Sequence, residues 1–279
     1  MRFVSFRVGD RPGWGVLDDE GVVDLSGGAH PRLRDGLDAG GIDALVEAAA
    51  ADGPRLDPDR IVFEPPVPDP RRILCIGVNY RAHRDETGRG DTEHPTVFVR
   101  FPSSLVGHGQ PLVKPRETRR YDYEGELAVV IGRAGRRIDP ADAPAHIAGW
   151  TCFMDGSARD FQFATSQFTA GKNFDRSGAM GPWLVDAATF GDPSRSRVRT
   201  RVNGRTLQDA TTDLLIDDVS RLIAHCSVFT TLEPGDVIAT GTPGGVGDRR
   251  DPPVHLWPGD RVEVEVDGIG VLANEVIEG

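Results

Sequence analysis

Short β-branched, largely hydrophobic runs punctuated by Gly, Pro and Asp dominate this chain from Arg71 onward, and one of them alternates cleanly with polar residues. That run is RVEVEVDGIGVL, residues 261–272, where Val or Ile alternates with polar residues and predicts a half-buried strand. Similar β-branched runs are ILCIGV (73–78), TVFVRF (96–101), ELAVVIG (126–132), RVRTRVNG (197–204) and DVIATG (236–241). Near the N-terminus, Arg2–Val8, Trp14–Leu17 and Val22–Leu25 read as short strands separated by Gly-Asp and Asp-Glu-Gly turns. A helical stretch is predicted over Ile42–Ala51, where Leu45, Val46 and Ala49 form one apolar face. A second covers Leu214–Thr230, with Leu215, Val219, Leu222, Ile223 and Cys226 at helical spacing.

Between these regions PPVPDP, residues 65–70, can continue neither a helix nor a central strand. It marks an expected boundary between a small N-terminal α/β domain, 1–66, and a larger body, 67–279. Many short strands with few helices predict an α+β, β-rich sandwich, roll or barrel rather than a Rossmann sheet.

Composition narrows the function. Of 279 residues, 38 % are hydrophobic, enough for a packed core, and the net charge is −11. That sign argues against nucleic acid, which binds through Lys/Arg excess, and against anionic membranes. No apolar run approaches the ~20 residues of a membrane span, and MRFVSFRVGDRPGWG lacks the apolar segment of a secretory signal. Cys75, Cys152 and Cys226 form no CxxC pair and fit reduced, buried thiols of a cytoplasmic protein. Only two of the 32 basic residues are lysine, Lys114 and Lys172. A lysine kept among arginines draws attention to sites needing a compact ammonium.

Chemistry concentrates in five segments. In YDYEGELAVVIG, Glu124 and Glu126 lie two apart at the head of a strand and project from one face, which continues as Ala128 and Val130. Such carboxylates either sit solvated at a strand end or bind a cation, and oxygen donors suit Mg2+, Mn2+ or Ca2+. FMDGSARDFQ offers Asp155, Asp160, Arg159 and Gln162; it reads as a third carboxylate with an anion clamp, or as a helix start capped by Asp155 or Ser157. GKNFD places Lys172 in a polar loop, and ATGTPGGVG offers backbone donors and Thr242 without the ending of a P-loop. GVNYRAHRDETG sets His83 and Glu86 three apart, on one side of a helical turn, as a water-activating pair or an ordinary exposed one.

GVNYRAH, the Glu-x-Glu of YEGELAVVIG, MDGSARDFQ, GKNFD and TGTPGGVG stand in the order expected of the fumarylacetoacetate hydrolase family, which the chain resembles from about Arg71 onward. The resemblance implies a mixed β-roll catalytic domain, a homodimer, and a small anionic oxo-acid substrate. It makes Glu124, Glu126 and Asp155 ligands of Mg2+ (or Mn2+), His83 and Glu86 a catalytic dyad on a lid, and Lys172 the group that stabilises an enolate. Arg159, Gln162, Thr242, Tyr80 and Arg100 become substrate contacts. The implied reaction is hydrolysis of a C–C bond in a 2,4-dioxo acid of acylpyruvate type, with Glu86 activating water. The same enolate also serves decarboxylases, isomerases, tautomerases or dehydratases of 2-oxo diacids, and a metal-bearing binding protein without turnover is the non-enzymatic alternative. Three departures stand out. Met154 replaces the usual Asn and Gly156 the usual Val beside Asp155, and Arg100 replaces a Lys.

Overall fold

A computed structural model describes residues 1–88, 90 and 92–279. Its main element is a large mixed sheet whose middle runs through strands Gly178–Asp186, Ile147–Met154, Gly125–Ile131, Val237–Ala239 and Ile73–Gly77. A five-stranded sheet, including Arg197–Val202, Arg261–Val266 and Gly270–Glu278, packs against it. The fold is therefore α+β and strand-rich.

The central strand Gly125–Ile131 is buried at every position. Period-two geometry sends Leu127, Val129 and Ile131 into the apolar layer shared with Val198, Val262 and Val264. It sends Ala128 and Val130 into a second layer with Phe3, Trp14, Leu33 and Leu37. Each larger aliphatic buried this way contributes about 1.5–3 kcal/mol, so the register of this strand is strongly specified. The N-terminal strand Arg2–Val8 joins the same sheet, with Arg2 opposite Val185 and Phe3 opposite Leu184.

Two helices differ in extent from their sequence patterns. The first spans Leu33–Ala48 and bends at Gly40 and Gly41, where Gly41 takes a left-handed φ of 65°. Glycine tolerates that conformation, which is why the apolar pattern picked out only the part beyond it. The later helix spans Val219–Phe229, because Asp218 caps it by accepting the Arg221 amide at 2.9 Å. The preceding residues are held extended: Ile216 N donates to Asn79 O at 2.7 Å, and the Asn79 side chain bonds both backbone groups of Asp217. Among the described residues no helix is long and apolar enough to cross a membrane.

Candidate metal centre and active site

Antiparallel pairing between Gly125–Ile131 and Ile147–Met154 places Gly125 opposite Met154. One step further along, the Asp155 amide donates to the Glu124 carbonyl at 2.8 Å. Two adjacent strand ends thus deliver three carboxylates to one point. Glu124, Glu126 and Asp155 each offer an oxygen, all within 4.8 Å of one another, and all three residues are buried.

Three buried carboxylates repel one another, and the chain supplies cations for two of them. Lys172 Nζ lies 2.6 Å from both Glu124 Oε2 and Asp155 Oδ2. Arg159 Nη1 reaches Glu124 Oε1 at 2.7 Å, and Arg100 Nη1 reaches Asp155 Oδ1 at 2.7 Å. Burial opposes the charge on Glu124, yet Arg159 and Lys172 hold its carboxyl well below the usual range. Burial likewise opposes the Lys172 ammonium, and Asp155 and Glu124 outweigh it, so this amine stays charged. Glu126 is the exception. Burial, then the charges of Asp155 and Glu124, push it well above the ordinary carboxyl range. Its Oε2 accepts the Gly241 amide at 2.8 Å, and no guanidinium or ammonium lies in contact with it among the described residues. A hard divalent cation among these oxygens would remove that imbalance, and an all-oxygen donor set fits Mg2+ or Mn2+ better than zinc.

These carboxylates line a small cavity of about 30 Å3 with His83, Arg159, Gln162, Lys172 and Thr242. Its apolar wall includes Ile76, Phe98 and Phe168, and the Lys172 ammonium stands 5.1 Å from the Phe98 ring centre. Val78, on the same wall, holds a φ of 62°, a strained conformation for a β-branched residue, costing on the order of 1–3 kcal/mol. His83 sits on the short helix Arg81–Thr87, where a three-residue step puts its Nδ1 2.7 Å from Glu86 Oε1. His83 lines the cavity and Glu86 does not; the other Glu86 oxygen accepts the Gly245 amide at 2.9 Å.

Eight of the eleven residues given site roles in the sequence analysis therefore line one cavity, and Glu86 contacts one of the eight, His83. Two were expected at the substrate and stand elsewhere. Arg100 is fully buried behind Asp155, bonded also to Gly156 O at 2.9 Å and Ser177 Oγ at 3.0 Å, so it supports a carboxylate of the protein. Tyr80 immediately precedes the helix Arg81–Thr87, with its hydroxyl buried and without a hydrogen-bond partner among the described residues, outside the cavity lining. The departures beside Asp155 also find their reasons. Met154 points into the core, away from the carboxylates, as strand alternation requires. Gly156 has no room for a side chain, since a Cβ there would lie 1.8 Å from the Ser177 carbonyl oxygen.

Two supporting side chains had no place in the sequence analysis, and a third supporting group is one of the backbone donors of ATGTPGGVG. Asp122 accepts Arg159 Nε at 2.9 Å and the Gly247 amide at 2.8 Å, fixing the guanidinium. Gln208 donates to Thr242 Oγ1 at 2.8 Å and accepts the Gly125 amide at 3.0 Å. The Gly241 amide holds Glu126. Of the two side chains, only Asp122 carried a legible signal, because it extends the two-residue step of Glu124 and Glu126 by one more.

A strand-rich fold with a carboxylate trio, a lysine and a histidine around one cavity defines a class of enzyme, and comparison with known proteins agrees. Residues 72–277 match the family described as fumarylacetoacetate (FAA) hydrolase, C-terminal. The chain is 38 % identical to the mitochondrial oxaloacetate tautomerase fahd2 of Xenopus laevis, over 99 % of this chain and 90 % of that protein. It is 45 % identical to the oxaloacetate tautomerase YisK of Bacillus subtilis (strain 168), over 76 % and 71 %. The crystal structure of maleylpyruvate hydrolase from Sphingobium sp. SYK-6, in complex with manganese (II) ion and pyruvate, superposes with a TM-score of 0.83 at 30 % identity, covering both chains fully. The chain belongs to the fumarylacetoacetate hydrolase family.

Proposed function

We propose that the protein is a divalent-metal-dependent keto–enol tautomerase of a short 2-oxo dicarboxylic acid of the oxaloacetate class. The observation that carries this reading is the placement of His83. It faces the carboxylates, while both oxygens of Glu86 behind it are engaged, one by His83 and one by the Gly245 amide. The pair thus presents one proton-transfer group to the cavity, which is what a tautomerase requires. Two relatives named oxaloacetate tautomerase support the same reading.

Glu124, Glu126 and Asp155 would hold the ion, which when bound supplies a Lewis acid that polarises the 2-oxo group. The His83 imidazole takes a proton from C3 of the keto form and returns it to the oxygen on C2, giving the enol; the reverse transfer restores the ketone. The Lys172 ammonium donates to the developing enolate oxygen. Arg159 holds the Gln162 carbonyl oxygen at 2.8 Å, leaving its amide nitrogen for the substrate carboxylate. The apolar wall of Ile76, Phe98 and Phe168 excludes water from the proton transfer. Nuclear magnetic resonance of oxaloacetate in deuterated water tests this: the reading requires metal-dependent exchange at C3 with the carbon skeleton intact.

C–C hydrolysis of an acylpyruvate is the second reading, favoured by the same pair: an imidazole oriented by a carboxylate also activates water, and maleylpyruvate hydrolase shares the fold. Release of pyruvate from an acylpyruvate would establish it. Assembly as a homodimer rests on the family resemblance, and light scattering reads it directly.

A further inference from the structure

Phe163 lines the carboxylate cavity, yet its side chain is 39 % exposed, so it stands where cavity meets solvent. Two guanidinium groups flank its ring, with Arg120 Cζ 5.8 Å and Arg249 Cζ 5.7 Å from the centre. They are not equivalent. Arg120 is committed to Asp248 through hydrogen bonds of 2.9 and 2.8 Å, and His255 approaches the same carboxylate at 3.1 Å. Arg249 is exposed and has no ion-pair partner among the described residues. On a chain of net charge −11, an uncompensated guanidinium at a cavity mouth concentrates anions there.

The arginine is also firmly mounted. It ends the single turn Gly247–Arg249, whose Gly247 and Asp248 amides donate to Asp122 at 2.8 and 3.0 Å. Asp122 in turn accepts Arg159 Nε at 2.9 Å. One buried carboxylate thus anchors both the floor of the cavity and the cation at its rim. The Phe163 ring covers one face of the guanidinium and leaves its N–H edge for a carboxylate.

We propose that Arg249 is an outer anion subsite that takes the second carboxylate of a 2-oxo dicarboxylate whose 2-oxo acid end lies at Glu124, Glu126 and Asp155. The proposal rests on the reading of the substrate as a diacid. It makes Arg249 the residue that distinguishes dianionic from monoanionic oxo acids.

Two inert ligands test it by calorimetry on the Mn2+-loaded protein. Oxamate and N-oxalylglycine share an oxalyl head, and only the second carries a further carboxylate. The wild-type protein should bind N-oxalylglycine about tenfold more tightly, as one charge-assisted contact allows. Arg249→Ala should bring the ratio to about one with oxamate affinity kept, and Arg249→Lys should retain part of it. A wild-type protein without the preference, or an Arg249→Ala protein that keeps it, overturns the proposal. Neither ligand has a C3 proton to move. If the ratio collapses in a protein inert toward oxaloacetate, the subsite stands and the tautomerase reading falls.

Discussion

Glu86 sits behind His83, its Oε1 2.7 Å from Nδ1 of the imidazole. A carboxylate in that position fixes the ring and its tautomer, leaving Nε2 for proton transfer. His83→Ala should therefore lower kcat by about 10²–10⁴-fold, the usual worth of a general acid–base group. Glu86→Gln keeps the contact but not its charge, and a smaller loss is expected. Steady-state kinetics measures both, and Mn2+ titration should show unchanged metal affinity in each. Equal losses in the two variants would give Glu86 a direct chemical role.

Glu126 strains the metal-free protein. Burial, with Asp155 and Glu124 beside it, raises its carboxyl well above the ordinary range, so the folded state holds a proton that the unfolded chain releases at its ordinary value near 4.3. The sign follows from linkage: this group's contribution to stability is greatest below that value and is lost as pH rises toward its folded pKa. Glu126→Gln should raise the melting temperature of the metal-free protein at neutral pH, and the gain should shrink in acid. The same variant should bind Mn2+ far more weakly. Thermal unfolding at several pH values reads the first effect and calorimetry the second; a metal-free variant less stable than wild type at pH 7 would contradict the account.

Arg100 is a support for Asp155, with no part of its side chain exposed. Arg100→Met leaves a buried carboxylate with Lys172 as its remaining cationic contact, and breaking such a pair costs about 3–5 kcal/mol. Denaturant unfolding should show that loss, with weaker metal binding alongside. Stability within experimental error of wild type would mean that the ion pair contributes little to how Asp155 is held.

Gly156 permits the Ser177 carbonyl to pack directly onto the strand end, where a Cβ would approach it to 1.8 Å. Gly156→Val should accordingly destabilise by at least the ~1–3 kcal/mol of an overpacked core, or fail to fold. A thermal melt decides, and a variant as stable as wild type would show that the neighbouring chain moves aside freely.

Much of this site was legible in the sequence because its signals are local. Glu124 and Glu126 share a face through the two-residue period of a strand, and His83 and Glu86 meet through a helical turn. Asp122 lies on the same two-residue step and was readable in principle. Arg100 was not, since its pairing with Asp155 joins positions far apart in sequence, and a basic residue near a recognised motif looks the same whether it meets substrate or protein. The fold shows the same division. Alternation located the strand Arg261–Val266 and a continuous apolar run the strand Gly125–Ile131, whereas the start of the helix Val219–Phe229 depends on Asn79 holding the preceding residues extended. The joining of Arg2–Val8 to the sheet of the larger body is likewise a long-range pairing that no local pattern encodes.

The most direct test of the central claim follows the enol absorbance of oxaloacetate after mixing with protein stripped of metal and then resupplied with Mn2+ or Mg2+. The account predicts rapid enol–ketone equilibration that requires the ion, is lost in Asp155→Ala, and releases neither pyruvate nor carbon dioxide at a comparable rate. Equilibration at the buffer rate in the metal-loaded protein, or equal activity without metal, would contradict it.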